Sequence, residues 1–242
     1  MSADAAPSVA AVVVAGGSGE RLGREGGKQL AVAAGRPILS WTLAALAESP
    51  EVKLIVVVTP PDRVDEYRAD AVEPLGLLVP LTVVAGGQTR QDSVAAGLAA
   101  VPESVPLVLV QDGARPLLTP ELVSKSIAAL IADVDAVGAV VGHPSVDTIK
   151  LAENGAVAST PDRSRYWAVQ TPQVFRSAAL REAYALAATE GFVGTDDSSL
   201  VERAGGRVLL VEGPRDNIKV TVPEDLALVE AVLGRMASGG ES

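Results

Sequence analysis

The stretch "VAAVVVAGGSGERLGREGGKQ", Val9 to Gln29, decides the fold. It opens with an apolar, β-branched run that is typical of a strand buried on both faces. The following segment, Ala15 to Gln29, holds six glycines and three cationic side chains. A connection from strand to helix usually takes about 2–6 residues, and a much longer one is uncommon unless it carries function. We therefore interpret this segment as a ligand-binding loop; the alternative is a flexible surface loop with solvated charges.

Outward from this stretch, apolar β-branched runs alternate with helical patterns. Further runs begin at Val52, Leu81, Pro106, Ala136 and Arg207. Helical patterns begin at Arg36, with Pro37 in the first turn, and at Thr119 and Thr221, which are both candidate N-caps. Continuous apolar strands between helices are typical of a parallel sheet covered on both faces. The alternation predicts an α/β fold with a doubly wound, mostly parallel, Rossmann-like sheet.

One region, 143–174, breaks the alternation. The sequence "ENG", Glu153 to Gly155, predicts a hairpin turn between two exposed strands, and no helix is expected there. A polar β-excursion of this kind is either a lid or a protruding β-arm that grips another subunit, and both interpretations stay open at this point. We expect a single domain over residues 1–242, with disordered ends at 1–8 and 238–242.

Composition excludes several classes of protein. The 242 residues are 48% hydrophobic, which is ample for a core. A net charge of −10 argues against general binding of nucleic acid or anionic membranes, so any phosphate site must be local. The absence of cysteine excludes disulfides and thiolate metal sites. With neither a basic leader nor an apolar span of membrane length, we expect no membrane association and a cytoplasmic protein.

The glycine-rich loop fails two common phosphate-binding patterns. A dinucleotide fingerprint, G-x-G-x-x-G, would start at Gly17 and Gly19, but Leu22 occupies the third glycine position. A Walker A loop also fails, because Leu22 replaces its first glycine and Gln29 replaces the hydroxyl residue that follows the lysine. What remains is a loop whose backbone N–H groups can approach an anion, with Arg21 and Lys28 available to several phosphates.

A lone carboxylate, Asp112, ends the run that begins at Pro106. The carboxyl ends of strands are where doubly wound sheets bind ligands, and a carboxylate there suits a magnesium ion that bridges triphosphate oxygens. The alternative is that Asp112 only caps a turn before Gly113.

Seven further motifs extend the pattern along the chain. In order, they are "GGQTRQDSV" (86–94), "QDGARP" (111–116), "VDTIK" (146–150), "DR" (162–163), "QTPQVF" (170–175), "GTDDSSL" (194–200) and "DNIKVTVPEDL" (216–226). Together with the loop they resemble the family of 2-C-methyl-D-erythritol 4-phosphate cytidylyltransferases, from Val9 to Met236. The resemblance implies transfer of CMP from CTP to 2-C-methyl-D-erythritol 4-phosphate in the non-mevalonate isoprenoid pathway.

The resemblance also implies roles for particular residues. Catalytic cations around the phosphates would be Arg21, Lys28 and Lys219. Nucleotide contacts would come from Ala15, Gly16, Gly17, Gly19, Gly87, Gln88, Ser93, Asp112 and Gly113, with Asp112 as the ligand of Mg²⁺. Two alternatives stay open: Lys219 as an ordinary exposed strand residue, and Ser93 as a hydroxyl at the start of a helix.

On the acceptor side, the resemblance implies substrate contacts from Arg115, Thr148, Arg163, Thr171 and Thr195. In the family the counterparts of Thr148 and Arg163 come from the neighbouring subunit, which implies a homodimer held by the β-arm. The alternative for Arg163 is a surface arginine paired with Asp162. The chain departs from the family's commoner residues at Gly16, Glu20, Gly27, Gln88 and Gly113, and Gly27 stands where proline commonly precedes the lysine.

Three other functions remain alternatives. The first is a cytidylyltransferase for another polyol phosphate such as ribitol 5-phosphate. The second is a nicotinamide-dependent oxidoreductase, which the missing third glycine disfavours. The third is a nucleotide-binding module without catalytic activity.

Overall fold

A computed structural model describes residues 8–17 and 27–239. Within these residues the centre is a seven-stranded sheet. Its strands are β1 (Val9–Val14), β4 (Val52–Thr59), β5 (Leu81–Ala85), β6 (Leu107–Asp112), β7 (Gly138–Pro144), β10 (Trp167–Arg176) and β11 (Val208–Glu212). Their order across the sheet is β11-β7-β10-β6-β1-β4-β5. Only β10 runs antiparallel to its neighbours, β6 and β7, among the strands of this sheet. The predicted doubly wound, mostly parallel sheet is confirmed.

Helices connect the strands and cover both faces. They are α1 (Ile38–Glu48), α2 (Val64–Tyr67), α3 (Arg90–Ala100), α4 (Pro120–Ala132), α5 (Ser177–Glu190), α6 (Asp197–Arg203) and α7 (Pro223–Gly239). Two small antiparallel pairs lie outside the main sheet: β2 (Val32–Ala33) with β3 (Arg36–Pro37), and β8 (Leu151–Glu153) with β9 (Ala156–Ser159). No helix of the described ranges is long and apolar enough to cross a membrane.

The central strand β1 shows why the sheet needs helices on both sides. Its residues Val9, Ala11 and Val13 pack in a cluster with α1 and α4. Its alternate residues pack in a second cluster with α3, α5 and α6. Because successive side chains of a strand point to opposite faces, a strand with two covered faces must be apolar throughout, as "VAAVVV" is.

A third, smaller cluster attaches α7 to the edge of the sheet where the strands end. Val229 and Leu233 of α7 pack against Ala33, Ile38 and Leu117. This packing holds the segment that precedes α7, and with it Lys219, beside the end of β6.

The predicted helix starts are right at one position and wrong at two. Thr119 caps α4, because its Oγ1 accepts from the Leu122 N–H at 3.3 Å. Thr221 does not cap α7: the Asp225 carboxylate accepts from the N–H groups of Thr221, at 2.7 Å, and Val222, at 3.0 Å. Asp225 thus makes the reciprocal half of a capping box, in which a first-turn carboxylate accepts from N–H groups just before the helix. Pro37 lies in β3, before α1, rather than in the first turn.

The β-excursion that was predicted over residues 143–174 is shorter in the structure. The hairpin exists as β8 and β9, turned by Asn154 and Gly155, which both have positive φ, and all of its strand residues are exposed. However, residues from Trp167 onward form β10 and belong to the central sheet. A single 3₁₀ turn, Arg163–Arg165, also stands where no helix was predicted.

Of the predicted disordered ends, residues 1–7 and 240–242 lie outside the described residues. The structure places Ser8 just before β1, and α7 continues to Gly239.

Candidate active site

Two pockets adjoin each other at the carboxyl edge of the sheet. β1 and β6 lie side by side in parallel, with Val14 opposite Asp112, so the segments that follow both strands emerge together. We call the cavity beside the glycine-rich loop pocket I and the one beside β10 pocket II. Arg90, Asp112 and Lys219 line both, so these three side chains form the wall between the pockets.

Pocket I has a volume of about 520 Å³ and gathers most of the predicted nucleotide contacts. Its described lining includes Gly16, Gly17, Lys28, Gln29, Gly87, Gln88, Thr89, Arg90, Ser93, Asp112, Lys219 and Thr221. Asp112 is the only acidic residue among its described lining residues. The pocket therefore suits an anionic ligand.

Backbone approaches this pocket closely at Gly86 and Gly87. A Cβ on Gly86 would lie 2.7 Å from the Ser93 Oγ, and one on Gly87 would lie 2.2 Å from the Asp92 Cβ. The Gly87 N–H also donates to the Ser93 Oγ at 3.3 Å. Ser93 is buried in the first turn of α3 and donates to the Thr89 carbonyl at 2.9 Å. Both interpretations of Ser93 therefore apply: its hydroxyl forms a hydrogen bond within α3, and the residue also lines the pocket.

Lys28 enters pocket I from a single 3₁₀ turn, Lys28–Leu30. The turn begins after Gly27, whose φ of 73° is a conformation that proline cannot adopt. A Cβ on Gly27 would lie 2.3 Å from the Tyr67 hydroxyl, which donates to the Gln29 side chain at 3.2 Å. Burial raises the pKa of Tyr67 to about 12, so it stays a neutral donor. Gly27 and Tyr67 together fix where Lys28 enters the pocket.

Pocket II, of about 480 Å³, gathers three of the predicted acceptor contacts: Arg115, Thr171 and Thr195. Asn217 links the first two, because its carbonyl accepts from Arg115 Nη1 at 2.7 Å and its Nδ2 donates to the Thr171 carbonyl at 2.8 Å. The Thr171 hydroxyl in turn accepts from the Asp112 N–H at 3.1 Å. Sequence analysis did not identify Asn217, although it opens the "NIK" part of a quoted motif.

Among the described residues, three cations surround the Asp112 carboxylate in the shared wall. Oδ2 lies 3.0 Å from Lys219 Nζ and 3.2 Å from Arg115 Nε, and Oδ1 lies 3.6 Å from Arg90 Nε. Burial by itself would raise the pKa of Asp112, but Lys219, Arg115 and Arg90 together lower it to about 2. Asp112 is thus a permanent anion at neutral pH, and the turn-cap interpretation does not account for its ion pairs.

Arg90 is a lining residue of both pockets that sequence analysis missed. It is the first residue of α3, and its Nη2 donates to Asp197 Oδ2 at 2.7 Å. Burial would lower the pKa of Arg90, but the carboxylates of Asp197 and Asp112 more than compensate and raise it. One signal was available in "GGQTRQDSV": an arginine at the positive end of a helix is disfavoured unless a carboxylate holds it.

The remaining predicted residues that the structure describes line neither pocket. Ala15 and Gly113 flank the site in buried backbone, where Ala15 donates to Val58 and Gly113 to Val14. Thr148 and Arg163 lie in the hairpin segment between β7 and β10. Arg163 does not pair with Asp162; its Nη1 donates to the Val146 carbonyl at 2.6 Å, while Asp162 accepts from the Ser164 N–H. Gly19 and Arg21 lie outside the described residues.

The site fits a magnesium ion only in company with phosphate oxygens. No group of three or more His, Cys, Asp or Glu side chains comes together in the part of the chain that the structure describes. Asp112 offers one hard oxygen, Oδ1, which faces Arg90 at 3.6 Å rather than a closer cation. Mg²⁺ is commonly bound by one or two carboxylates plus substrate phosphates, and the surrounding cations would hold those phosphates. Asp112 would therefore be the protein ligand.

Comparison with known proteins agrees with this geometry. The family model for 2-C-methyl-D-erythritol 4-phosphate cytidylyltransferase (IspD) matches residues 9–235. The cytidylyltransferase of that name from Geotalea uraniireducens is 44% identical over 93% of this chain and 96% of its own length. The one from Syntrophotalea carbinolica is 43% identical over the same shares.

Solved structures give the same result. The 2-C-methyl-D-erythritol 4-phosphate cytidylyltransferase from Thermus thermophilus is 37% identical, with a TM-score of 0.74, over 93% of this chain and 98% of its own. The 4-diphosphocytidyl-2C-methyl-D-erythritol synthase from Anaerococcus prevotii is 30% identical, with a TM-score of 0.82, over 95% and 100%. The fold and these relatives together thus identify a nucleotidyltransferase. This chain belongs to the 2-C-methyl-D-erythritol 4-phosphate cytidylyltransferase family.

Proposed function

We propose that this protein transfers CMP from CTP to 2-C-methyl-D-erythritol 4-phosphate, giving 4-diphosphocytidyl-2-C-methyl-D-erythritol and pyrophosphate, as a step towards isoprenoid precursors. The observation that carries the proposal is the pair of pockets that meet at Arg90, Asp112 and Lys219. A transferase for two anionic substrates needs two sites whose reacting groups meet at one cationic wall. Because CTP is an intracellular metabolite, we propose the cytoplasm as its location.

CTP would occupy pocket I. Close backbone at Gly16, Gly17 and Gly87 suits the cytosine and ribose, with Ser93 beside them. Lys28, in the turn after β1, and Lys219, in the segment before α7, both line this pocket and would hold the triphosphate. Arg21 is proposed to join them. An ammonium group is a compact charge that suits phosphate oxygens without demanding one orientation.

The acceptor phosphate would occupy pocket II. Arg115 is only partly committed to Asp112, since its guanidinium has five donors, and Thr171 and Thr195 add hydroxyls. Burial lowers the pKa of Arg115, although Asp112 opposes this, and the group remains a cation at neutral pH.

The reaction is an in-line displacement. A phosphate oxygen of the acceptor, already anionic at neutral pH, attacks the α-phosphorus of CTP across the shared wall, and pyrophosphate leaves on the side of Lys28. No protein nucleophile or general base is needed, so positioning and charge stabilisation carry the rate. Magnesium, when bound at Asp112, would neutralise charge on the triphosphate. Lys219, fixed by Asp112 at 3.0 Å, holds its ammonium where negative charge develops.

A homodimer would complete pocket II. Thr148 and Arg163 lie on the exposed hairpin segment and line neither pocket of their own chain. Several apolar side chains of this segment are also exposed: Val146 by 45%, Leu151 by 54%, Val157 by 61% and Tyr166 by 45%. An arm with such a surface suits contact with a second copy of the chain, which would receive Thr148 and Arg163 at its acceptor phosphate.

The test is a pyrophosphate-release assay with CTP and a panel of polyol phosphates. We expect release with 2-C-methyl-D-erythritol 4-phosphate at a kcat/KM well above that with ribitol 5-phosphate or erythritol 4-phosphate. Preference for ribitol 5-phosphate would assign the chain to another acceptor. Binding of CTP without release under any condition would make it a binding module, and tight binding of NADH would indicate a redox enzyme.

A further inference from the structure

Arg90 is the one member of the shared wall that the proposed mechanism leaves without a role. Arg90 lines both pockets, and its side chain is 32% exposed. One end faces Asp112 Oδ1 at 3.6 Å, and the other donates to Asp197 Oδ2 at 2.7 Å. The guanidinium thus spans from the reacting edge of the site into the protein interior.

Asp197 cannot itself touch a substrate. It is fully buried in the first turn of α6 and lines neither pocket. Its other oxygen, Oδ1, accepts from the Tyr184 hydroxyl of α5 at 2.6 Å. Burial and the adjacent Asp197 raise the pKa of Tyr184, so this hydroxyl always donates. Both carboxylate oxygens therefore have fixed partners, and the carboxylate cannot rotate away from Arg90.

Without Asp197, Arg90 would lose the carboxylate that holds its guanidinium away from Asp112. The start of α3 repels a cation, because the N–H groups of its first turn point towards it. The other carboxylate that Arg90 contacts, Asp112, lies only 3.6 Å away and would attract the whole guanidinium. Arg90 would then neutralise Asp112 instead of facing the two pockets.

We propose that Arg90 is a further substrate-contacting residue, shared by the two pockets, and that Asp197 and Tyr184 are positioning residues that hold its guanidinium at the wall between them. This inference rests on the proposed function. A guanidinium at this place can donate to a phosphate oxygen on either side, and so it would bind the α-phosphoryl group during its transfer from pocket I to pocket II.

The test is a double-mutant cycle in the full-length protein, with Arg90→Gln, Asp197→Asn and the pair combined. We measure kcat, and KM for CTP and for the acceptor, by pyrophosphate release, and CTP binding by calorimetry. Asp197→Asn should lower kcat/KM about tenfold or more in the wild-type background and have little effect in the Arg90→Gln background. Equal losses in both backgrounds would overturn the positioning role.

Tyr184→Phe provides a milder variant if Asp197→Asn does not fold. It keeps the buried ring and removes one hydrogen bond, so kcat/KM should fall about 3- to 10-fold. Leu180→Val, in the same helix and fully buried, is the control for lost stability, because a leucine side chain makes no hydrogen bond to Asp197. If Leu180→Val lowers kcat/KM as much as Tyr184→Phe does, the effect is structural and the inference fails.

Failure of the proposed function can be distinguished from failure of the positioning role. If the wild-type protein releases no pyrophosphate, the proposed function is wrong, and the cycle is then read from CTP binding alone. In that case Asp197→Asn must weaken CTP binding only when Arg90 is present; otherwise the positioning role is wrong as well.

Discussion

At the scale of single residues, the site depends on where a few cations are held. Lys28 is only 9% exposed in pocket I, at the start of a turn fixed by Gly27, Gln29 and Tyr67. Lys219 is held by Asp112 and the packing of α7. Each lysine is therefore placed before substrate arrives, which is the condition for electrostatic stabilisation without reorganisation.

Lys28→Ala should lower kcat much more than it raises KM for the acceptor. Loss of one preorganised donor from a centre where charge develops typically costs about 10²–10³ in rate. Steady-state kinetics with both substrates varied would measure the effects on kcat and on the acceptor KM separately. Lys125→Ala is the control, because that ammonium donates to the Glu212 carbonyl at the surface and lines neither pocket. Turnover of folded Lys28→Ala within about threefold of wild type would contradict the assignment.

Gly27→Ala should damage the site more than Gly35→Ala does. Both glycines have positive φ, 73° and 83°, so each substitution strains the backbone by about 1 kcal/mol. Only at Gly27 would the new Cβ also meet the Tyr67 hydroxyl, at 2.3 Å, whereas nothing lies within 4 Å at Gly35. Measurements of thermal unfolding and of kcat for both variants would separate the effect of the steric clash from the effect of backbone strain. Adding Tyr67→Phe to Gly27→Ala should restore part of the loss; an equal effect of the two alanines would refute this explanation.

At the scale of elements, the two pockets exist because three connections meet at one edge of the sheet. The turn after β1, the start of α3 and the end of β6 form pocket I, and the β10 strand adds pocket II. The hairpin of β8 and β9 is different, because none of its residues belongs to the three hydrophobic clusters and all its strand residues are exposed. An element of this kind is stable only as part of a larger contact, which the proposed dimer supplies.

Complementation between inactive subunits should test whether Arg163 acts in the partner's site. Lys28→Ala and Arg163→Ala are unfolded and refolded together, so that about half the dimers are mixed. In a mixed dimer one site has both defects and the other has neither, so roughly a quarter of wild-type activity should return.

If Arg163 serves its own chain, every site in the mixture keeps one defect and no activity returns. Wild-type protein refolded in parallel controls for recovery, and a light-scattering mass verifies that dimers are present. Absence of recovery in verified mixed dimers would exclude sharing through Arg163.

At the scale of the whole molecule, the charged site is linked to stability. The pKa of the Asp112 carboxyl is about 2 in the fold against an ordinary value of 3.8. A lowered pKa stabilises the fold above the ordinary value, and this stabilisation disappears as pH falls towards 2. A difference of this size corresponds to about 2 kcal/mol of unfolding free energy at neutral pH.

Asp112→Asn should therefore be less stable than wild type at pH 7, with a difference that narrows below about pH 4 and is roughly halved by pH 3. Urea unfolding of both proteins between pH 7 and 3 would measure it. Asp65→Asn is the control, since Asp65 pairs with Arg68 at the surface, where solvent screening leaves little net energy. A difference that stays constant with pH would show that the carboxylate is not stabilised by its cations.

Much of this protein follows from its sequence. The run at Val9 and its successors predicted the doubly wound sheet, because a strand with two covered faces has no place for polar residues. Motif order identified the family, and Lys28, Asp112 and Lys219 were expected at one site. What sequence patterns miss are contacts that depend on three-dimensional placement: Asp225 replaces Thr221 at the start of α7, and Trp167 begins a central strand rather than an arm.

Only the tertiary structure decided how the site is assembled. Arg90 and Asp197 are 107 residues apart, and no local pattern says that their side chains form an ion pair. Likewise, the low pKa of Asp112 comes from Lys219, Arg115 and Arg90, of which only Arg115 is near in sequence. The periodicity of apolar residues indicates which face of an element is buried, because burial selects for an apolar residue at each position independently. Pairing of charges depends on which elements the fold brings together, and that is set by the packing of α3, α6 and the segment before α7 around the end of β6.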